Sequence, residues 1–147
     1  MILPDVNVLI YSFRPDSRRH GEFRIWLQQI VDGPGAYGVS PQVLASLVRI
    51  TTNRKAYATP SSLDEALAFC EAMLDPRHAT VIQPGERHWD IYRDLCRSSG
   101  VTGTLTQGAW FAALAIEHGC EWVSTDAHYD LFPGLRWRNP LKKPSLK

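Results

Sequence analysis

Two aspartates could do chemistry in this chain. Asp5 ends the short apolar opening Met1-Ile2-Leu3-Pro4, and Asp126 follows the apolar run Trp122-Val123. Burying a carboxylate costs free energy unless it is paired, hydrogen-bonded or bound to a metal. Two carboxylates that converge cannot both stay ionised without a counter-charge. A divalent cation supplies one. Mg²⁺ prefers carboxylate oxygen and is commonly held by one or two carboxylates, water and a substrate phosphate. The pair therefore points to phosphoester chemistry, although either acid alone would read better as a helix or turn cap. Asn7 and Thr125 stand close in sequence to the two acids. Each could orient its neighbouring carboxylate or a metal-bound water, or else simply bond nearby backbone as Asn and Thr often do.

These residues converge only if the fold brings them together. The chain alternates short apolar runs with helical patterns, which argues for an α/β fold with a parallel sheet. Ile2 to Tyr11 is an apolar run with strand-like β-branched residues, in which Pro4 begins or flanks a first strand that Asp5 ends. Ser17 to Asp32 is a helix on the stripe Phe23, Trp26, Leu27, Ile30 and Val31. Ala36 to Val39 is a strand. Ser40-Pro41 opens a second helix as N-cap and first turn, and that helix ends near Thr51 to Asn53. Ser62 to Glu65 is a capping box, and Asp75-Pro76 ends its helix. Thr80 to Ile82 is a strand, and a helix follows around Trp89, Tyr92 and Leu95. Gly108 to His118 is an almost wholly apolar and therefore buried helix, with Gly119 just past its end. Trp122 to Ser124 and Leu135 to Trp137 are the last strands. In a parallel sheet Asp5 and Asp126 would both lie at carboxyl ends, the edge where such sheets bind ligands.

Composition narrows the field. A length of 147 residues, 44% of them hydrophobic, suits one domain over 1–147 with a tail from about 140. The net charge of +1 gives no overall field for nucleic acid or membrane, so any basic surface is local. Ala109 to Ile116 is too short to span a bilayer. No signal peptide is readable, and Cys70, Cys96 and Cys120 fit reduced thiols. A cytoplasmic protein is expected. Arg14 and Arg49 belong to basic clusters that could track a phosphate backbone, with plain solubility as the alternative. The lysines and arginines of the carboxyl end, from Arg136 to Lys147, invite the same two accounts. Asp90, Asp94 and Glu117 read as solvated helix positions, His118 as a partner of the helix dipole, and Trp26, Trp89 and Trp110 as core packing.

The pattern resembles PIN-domain proteins, specifically the VapC toxins of VapBC toxin–antitoxin pairs. The resemblance is carried by Asp5-Val6-Asn7-Val8-Leu9-Ile10-Tyr11, by Val48 to Asn53, by Ala112 to Gly119, and by Ser124-Thr125-Asp126 with Phe132 to Pro140. It implies a three-layer α/β/α fold and a Mg²⁺- or Mn²⁺-dependent endoribonuclease that holds its metal with three or four acids. Asp5 and Asp126 match the first and last of these. Ser46 stands where the family often has a Glu, and Gly108 stands where it has an Asp at the start of the buried helix. The resemblance thus implies a site short of one ligand and an impaired enzyme. It also implies a VapB-type antitoxin partner, an RNA substrate and a homodimer. A non-catalytic PIN-fold module that binds RNA or protein is the alternative. A phosphohydrolase with an aspartate nucleophile ranks last, because a second Asp in place of Asn7 and a nearby Lys are missing.

Overall fold

The apolar opening is a strand for only three residues. In the computed structural model, which describes residues 1–75 and 77–142, β1 spans Ile2–Pro4 and helix α1 (Val6–Phe13) begins at once. Asp5 causes the switch. Its backbone is extended, and its side chain accepts the Val6 N–H at 2.7 Å as an N-cap. The first strand thus ends at Asp5 as expected, and the rest of the apolar run, from Val6 to Tyr11, belongs to a helix. Val8, Leu9 and Ile10 are all buried, and so short an apolar run has no period that separates helix from buried strand.

The chain continues through α2 (His20–Asp32), β2 (Tyr37–Val39), α3 (Pro41–Thr51), α4 (Leu63–Met73), β3 (Ala79–Val81), α5 (His88–Ser99), α6 (Leu105–Glu117) and β4 (Glu121–Val123). A 3₁₀ turn (Ala127–Leu131) and β5 (Trp137–Arg138) follow. Every assigned strand pair is parallel: β1 with β4, β4 with β5, and β2 with β3. β2 lies against β1 without a ladder. A Cβ on Gly38 would sit 3.1 Å from the Ile2 carbonyl oxygen, so glycine permits this close approach. The strands thus follow as β3-β2-β1-β4-β5. α1 packs on α2 and α3, α3 packs on α4, and α5 pairs with α6. The result is the expected α/β/α architecture around a parallel sheet, with Leu3, Leu47, Ala112, Leu114 and Trp122 wholly enclosed. No helix among the described residues is long and apolar enough to cross a membrane.

Local signals held at the caps. Ser40 accepts the Val43 N–H, and Ser62 exchanges hydrogen bonds with Glu65. Gly119 takes the left-handed conformation past α6. Other boundaries moved. α2 starts at His20 because Arg19 sits at φ 57°. α6 begins at Leu105, so Gly108 lies inside the helix rather than at its start. The strands expected at 80–82 and 135–137 each shift, to 79–81 and 137–138. Pro76, expected to end α4, and residues 143–147 of the basic tail lie outside the described residues.

Two side chains depart further from expectation. Trp89 is 65% exposed rather than in the core, because it lies on the outer face of α5. Glu117 is not solvated: its side chain is only 6% exposed. It accepts the backbone N–H groups of Gly85 at 2.7 Å and Arg87 at 3.0 Å, tying the loop before α5 to the end of α6. Burial works against its charge, but these two donors hold its carboxyl below the ordinary range. His118, expected to serve the dipole, is the C-cap of α6, and its Nε2 lies 2.6 Å from the Gln83 carbonyl oxygen. Glu117→Ala is expected to cost about 2 kcal/mol in urea denaturation, since it orphans two donors of charge-assisted bonds. A loss within about 0.5 kcal/mol, typical of a surface change, would show that the loop is held by other contacts.

Candidate metal and phosphoester site

β1 and β4 run side by side, so their carboxyl ends deliver Asp5 and Asp126 to one edge. The pairing continues one rung beyond the strand, as the Asp5 N–H donates to the Val123 carbonyl at 2.8 Å. Three residues on from Val123, the Asp126 carboxylate caps the 3₁₀ turn by accepting the His128 N–H at 2.9 Å. Both acids line a cleft of about 260 Å³, together with Asn7, Ser46, Arg49 and Gly108.

Asp5 is only 6% exposed, and its oxygens are well provided with donors. Oδ1 accepts the Val6 N–H. Oδ2 accepts the Ser124 hydroxyl at 2.7 Å and the Asn7 amide at 3.4 Å. Burial dominates all the same and, with the nearby Asp126 charge adding to it, raises the Asp5 pKa to about 6, against the pull of the Ser124 and Val6 donors. The charge thus waits for a counter-charge, as a metal-binding carboxylate would. Tyr129, which lines the cleft and packs on Trp122, has its phenol pushed up by burial and by both carboxylates.

Ser124 was not singled out by its type or position in the sequence, yet it is the hub of this network. It is fully buried. Its hydroxyl donates to Asp5 and accepts the Asn7 amide at 3.2 Å and the Asp126 N–H at 3.1 Å. Asn7 lies beyond the strand, in the first turn of a helix, and orients Asp5 from there. Thr125, expected to orient Asp126 with its side chain, contributes its backbone N–H to Asn7 Oδ1 at 3.3 Å instead. The signals for Ser124 were its place in the Ser124-Thr125-Asp126 motif and a small polar residue at the end of a buried strand. Ser124→Ala would leave Asp5 Oδ2 without its best donor. It is expected to lower stability by about 1–3 kcal/mol. Thermal denaturation of Ser124→Ala beside Ser124→Thr checks this, because Thr restores a hydroxyl.

His128 is the other residue not anticipated. Its Nδ1 lies 2.7 Å from Asp126 Oδ1, and its exposed ring lines the cleft. Arg49 stands at the rim, exposed on α3, where a phosphate would pass. Arg14 does not belong here. It is buried, bonded to both Asp16 oxygens, to Ser61 and to the Thr59 carbonyl, and stacked 3.7 Å from the Tyr57 ring centroid. With its donors engaged it fastens the loop before α4, and it is no candidate for binding substrate.

Position 108 faces the cleft from α6 without a carboxylate. A Cβ there would meet Phe132 at 3.5 Å and Tyr129 at 3.8 Å, ordinary contact distances, so the cleft would admit a side chain. Among the described residues no group of three His, Cys, Asp or Glu side chains could hold a metal ion. Two carboxylates remain. That donor set suits a Mg²⁺-like ion that keeps most of its water, and does not suit a protein-caged one.

A model of the PIN domain matches residues 2–135. Ribonuclease VapC43 of Mycobacterium tuberculosis is 36% identical over 141 residues, covering 96% of both chains. Ribonuclease VapC25 of the same organism is 36% identical over 140 residues, covering 95% of this chain and 99% of its own length. Among solved structures, VapBC2 from Rickettsia felis bound to a promoter DNA fragment aligns with a TM-score of 0.67 at 16% identity, over 95% and 98% of the two chains. VapC20 of Mycobacterium tuberculosis, a sarcin-ricin-loop-cleaving toxin, aligns with a TM-score of 0.61 at 15% identity, over 92% and 99%.

Proposed function

The chain belongs to the PIN-domain family, among its VapC ribonucleases, and from that premise we propose that it is the endoribonuclease toxin of a type II toxin–antitoxin pair, weakened in this form by Gly108. The observation that carries this is the convergence of Asp5 and Asp126 at neighbouring parallel strand ends, in a cleft with Arg49 at its rim.

Asp5 and Asp126 would hold one divalent cation, Mg²⁺ or Mn²⁺. Such an ion, when bound, activates water and stabilises charge on the scissile phosphate. The chain's own residues do the rest. Ser124 and Asn7 fix the Asp5 carboxylate in one orientation. His128 fixes Asp126 from the cleft side. Arg49 offers a bidentate, permanently charged donor to a phosphate of the RNA strand. All of this machinery lies in one domain, and a cytoplasmic location fits its substrate. A VapB-type antitoxin is the partner we assign from the complexes that share the fold, and a homodimer is the expected assembly.

The test is RNA cleavage with Mg²⁺ or Mn²⁺, with a chelator control, on this chain and on Asp126→Ala. Slow cleavage that is abolished by both the chelator and the substitution supports the reading. Metal-independent cleavage would overturn it. A second reading is favoured by one observation, the absent carboxylate at 108: the chain has become an RNA- or protein-binding module. Tight RNA binding with no cleavage, even after a carboxylate is restored at 108, would select that alternative.

A further inference from the structure

The catalytic cleft does not end at Arg49. A larger groove of about 580 Å³ opens beside it and shares Ser46, Arg49, Gln107 and Phe111 with it. On one side the groove is walled by the outer face of α3, where Gln42, Ala45, Ser46 and Arg49 fall at helical spacing. On the other it is walled by Gln107 and Trp110 of α6, and Tyr92 of α5 also lines it. Trp110 is half-buried and well braced. His88 meets its ring at 4.7 Å and Phe111 at 5.2 Å, both edge-on, and His88 Nε2 lies 2.9 Å from the Trp110 carbonyl. Tyr92 is half-buried, with the exposed Trp89 ring 5.4 Å beyond it. Aromatic rings held rigid beside an arginine at the rim of the proposed metal-binding cleft have the composition of a base-stacking platform. Bases stack on such rings irrespective of sequence, while arginine tracks the backbone. Gln107, exposed at the mouth, offers both a donor and an acceptor to a base edge.

We propose that this groove receives the nucleobase next to the scissile phosphate of single-stranded RNA. Trp110 and Tyr92 would form its stacking surface, Gln107 would contact the base edge, and Arg49 would hold the phosphate between groove and cleft. The proposal rests on the ribonuclease reading and deepens it. The groove's continuity with the phosphate-facing cleft favours a nucleotide over a protein side chain. It predicts that the chain selects unpaired RNA, since a base inside a duplex cannot reach the rings.

The test is anisotropy of fluorescein-labelled oligouridine, in chelator to prevent cleavage, against a ribose-phosphate strand of equal length that carries no bases. The unmodified protein is expected to bind oligouridine roughly ten- to a hundred-fold more tightly than the base-free strand. Trp110→Ala and Tyr92→Ala are each expected to shrink that ratio and to leave binding of the base-free strand unchanged. Arg49→Gln is expected to weaken both strands alike and to lower the salt dependence. If the unmodified protein binds both strands equally, the base subsite is overturned, whatever happens to the folding of the variants. If it binds neither, the ribonuclease reading fails with it. If sedimentation shows a dimer that Trp110→Ala and Tyr92→Ala dissolve, a second copy of the chain fills the groove and the proposal is overturned.

Discussion

Gly108→Asp is expected to raise the metal-dependent cleavage rate by roughly a hundred-fold or more. A third carboxylate would complete the set for a divalent ion, and an ion that polarises a phosphoryl oxygen contributes several kcal/mol at the transition state, each 1.36 kcal/mol being ten-fold in rate. The structure has room for it, since the Cβ would meet Phe132 and Tyr129 only at contact distance. Without metal the new charge joins Asp5 and Asp126 and opposes folding. With metal that repulsion becomes affinity. The variant should therefore melt at a strongly Mg²⁺-dependent temperature, and the parent at a weakly dependent one. Calorimetric Mn²⁺ titration separates the effects: equal affinity and equal rate with Gly or Asp at 108 would mean that this position contributes nothing to the site.

Asp5→Asn should do the opposite on both counts. Cleavage is expected to fall below detection, because one of only two remaining carboxylates is gone. The metal-free fold is expected to become more stable. Asp5 takes up its proton at about pH 6 in the folded chain, against an ordinary 3.8. Between those values the folded state binds more protons than the unfolded one, so stability falls as the pH rises from about 4 to 6, and the loss is complete above that. The gap corresponds to about 3 kcal/mol. Asn escapes it but gives up one of the two oxygens that accept from Val6, Asn7 and Ser124, so a net gain of about 2 kcal/mol is expected at pH 8 and almost none at pH 4. Urea denaturation in chelator at both values checks the sign. Equal stability of parent and variant at pH 8 would show that the Asp5 charge is already compensated without metal. Saturating Mg²⁺ should erase the variant's advantage.

The sequence revealed the chemistry of this site better than its scaffolding. Asp5 and Asp126 stood out because a carboxylate at the end of an apolar run is costly anywhere except at a cap or a site, and both turned out to be caps within the cleft. Ser40 and Ser62 announced their helices through local side-chain bonds, which depend on spacing of three residues. Val6 to Ile10 did not announce α1, because burial on every side erases the period that distinguishes a helix. Ser124, Glu117 and Arg14 have roles set by residues 119, 32 and 47 positions away. No window of sequence contains those pairs. Trp89 and Trp110 looked alike as large apolar residues, and only the packing of α5 on α6 turned one outward and set the other in a groove.

The bond between Ser124 and Asp5 spans 119 residues, and that separation has a consequence in time. A chain leaving the ribosome presents Asp5 119 residues before Ser124, and N-terminal parts emerge long before their distant partners. Until β4 arrives, β1 has no neighbour in its own three-stranded sheet, and Asp5 lacks the hydroxyl that orients it and the second carboxylate that shares its ion. A nascent chain that ends before Ser124 therefore lacks half of the proposed site. The proposed activity would wait for β4, the strand that joins β1 to β5.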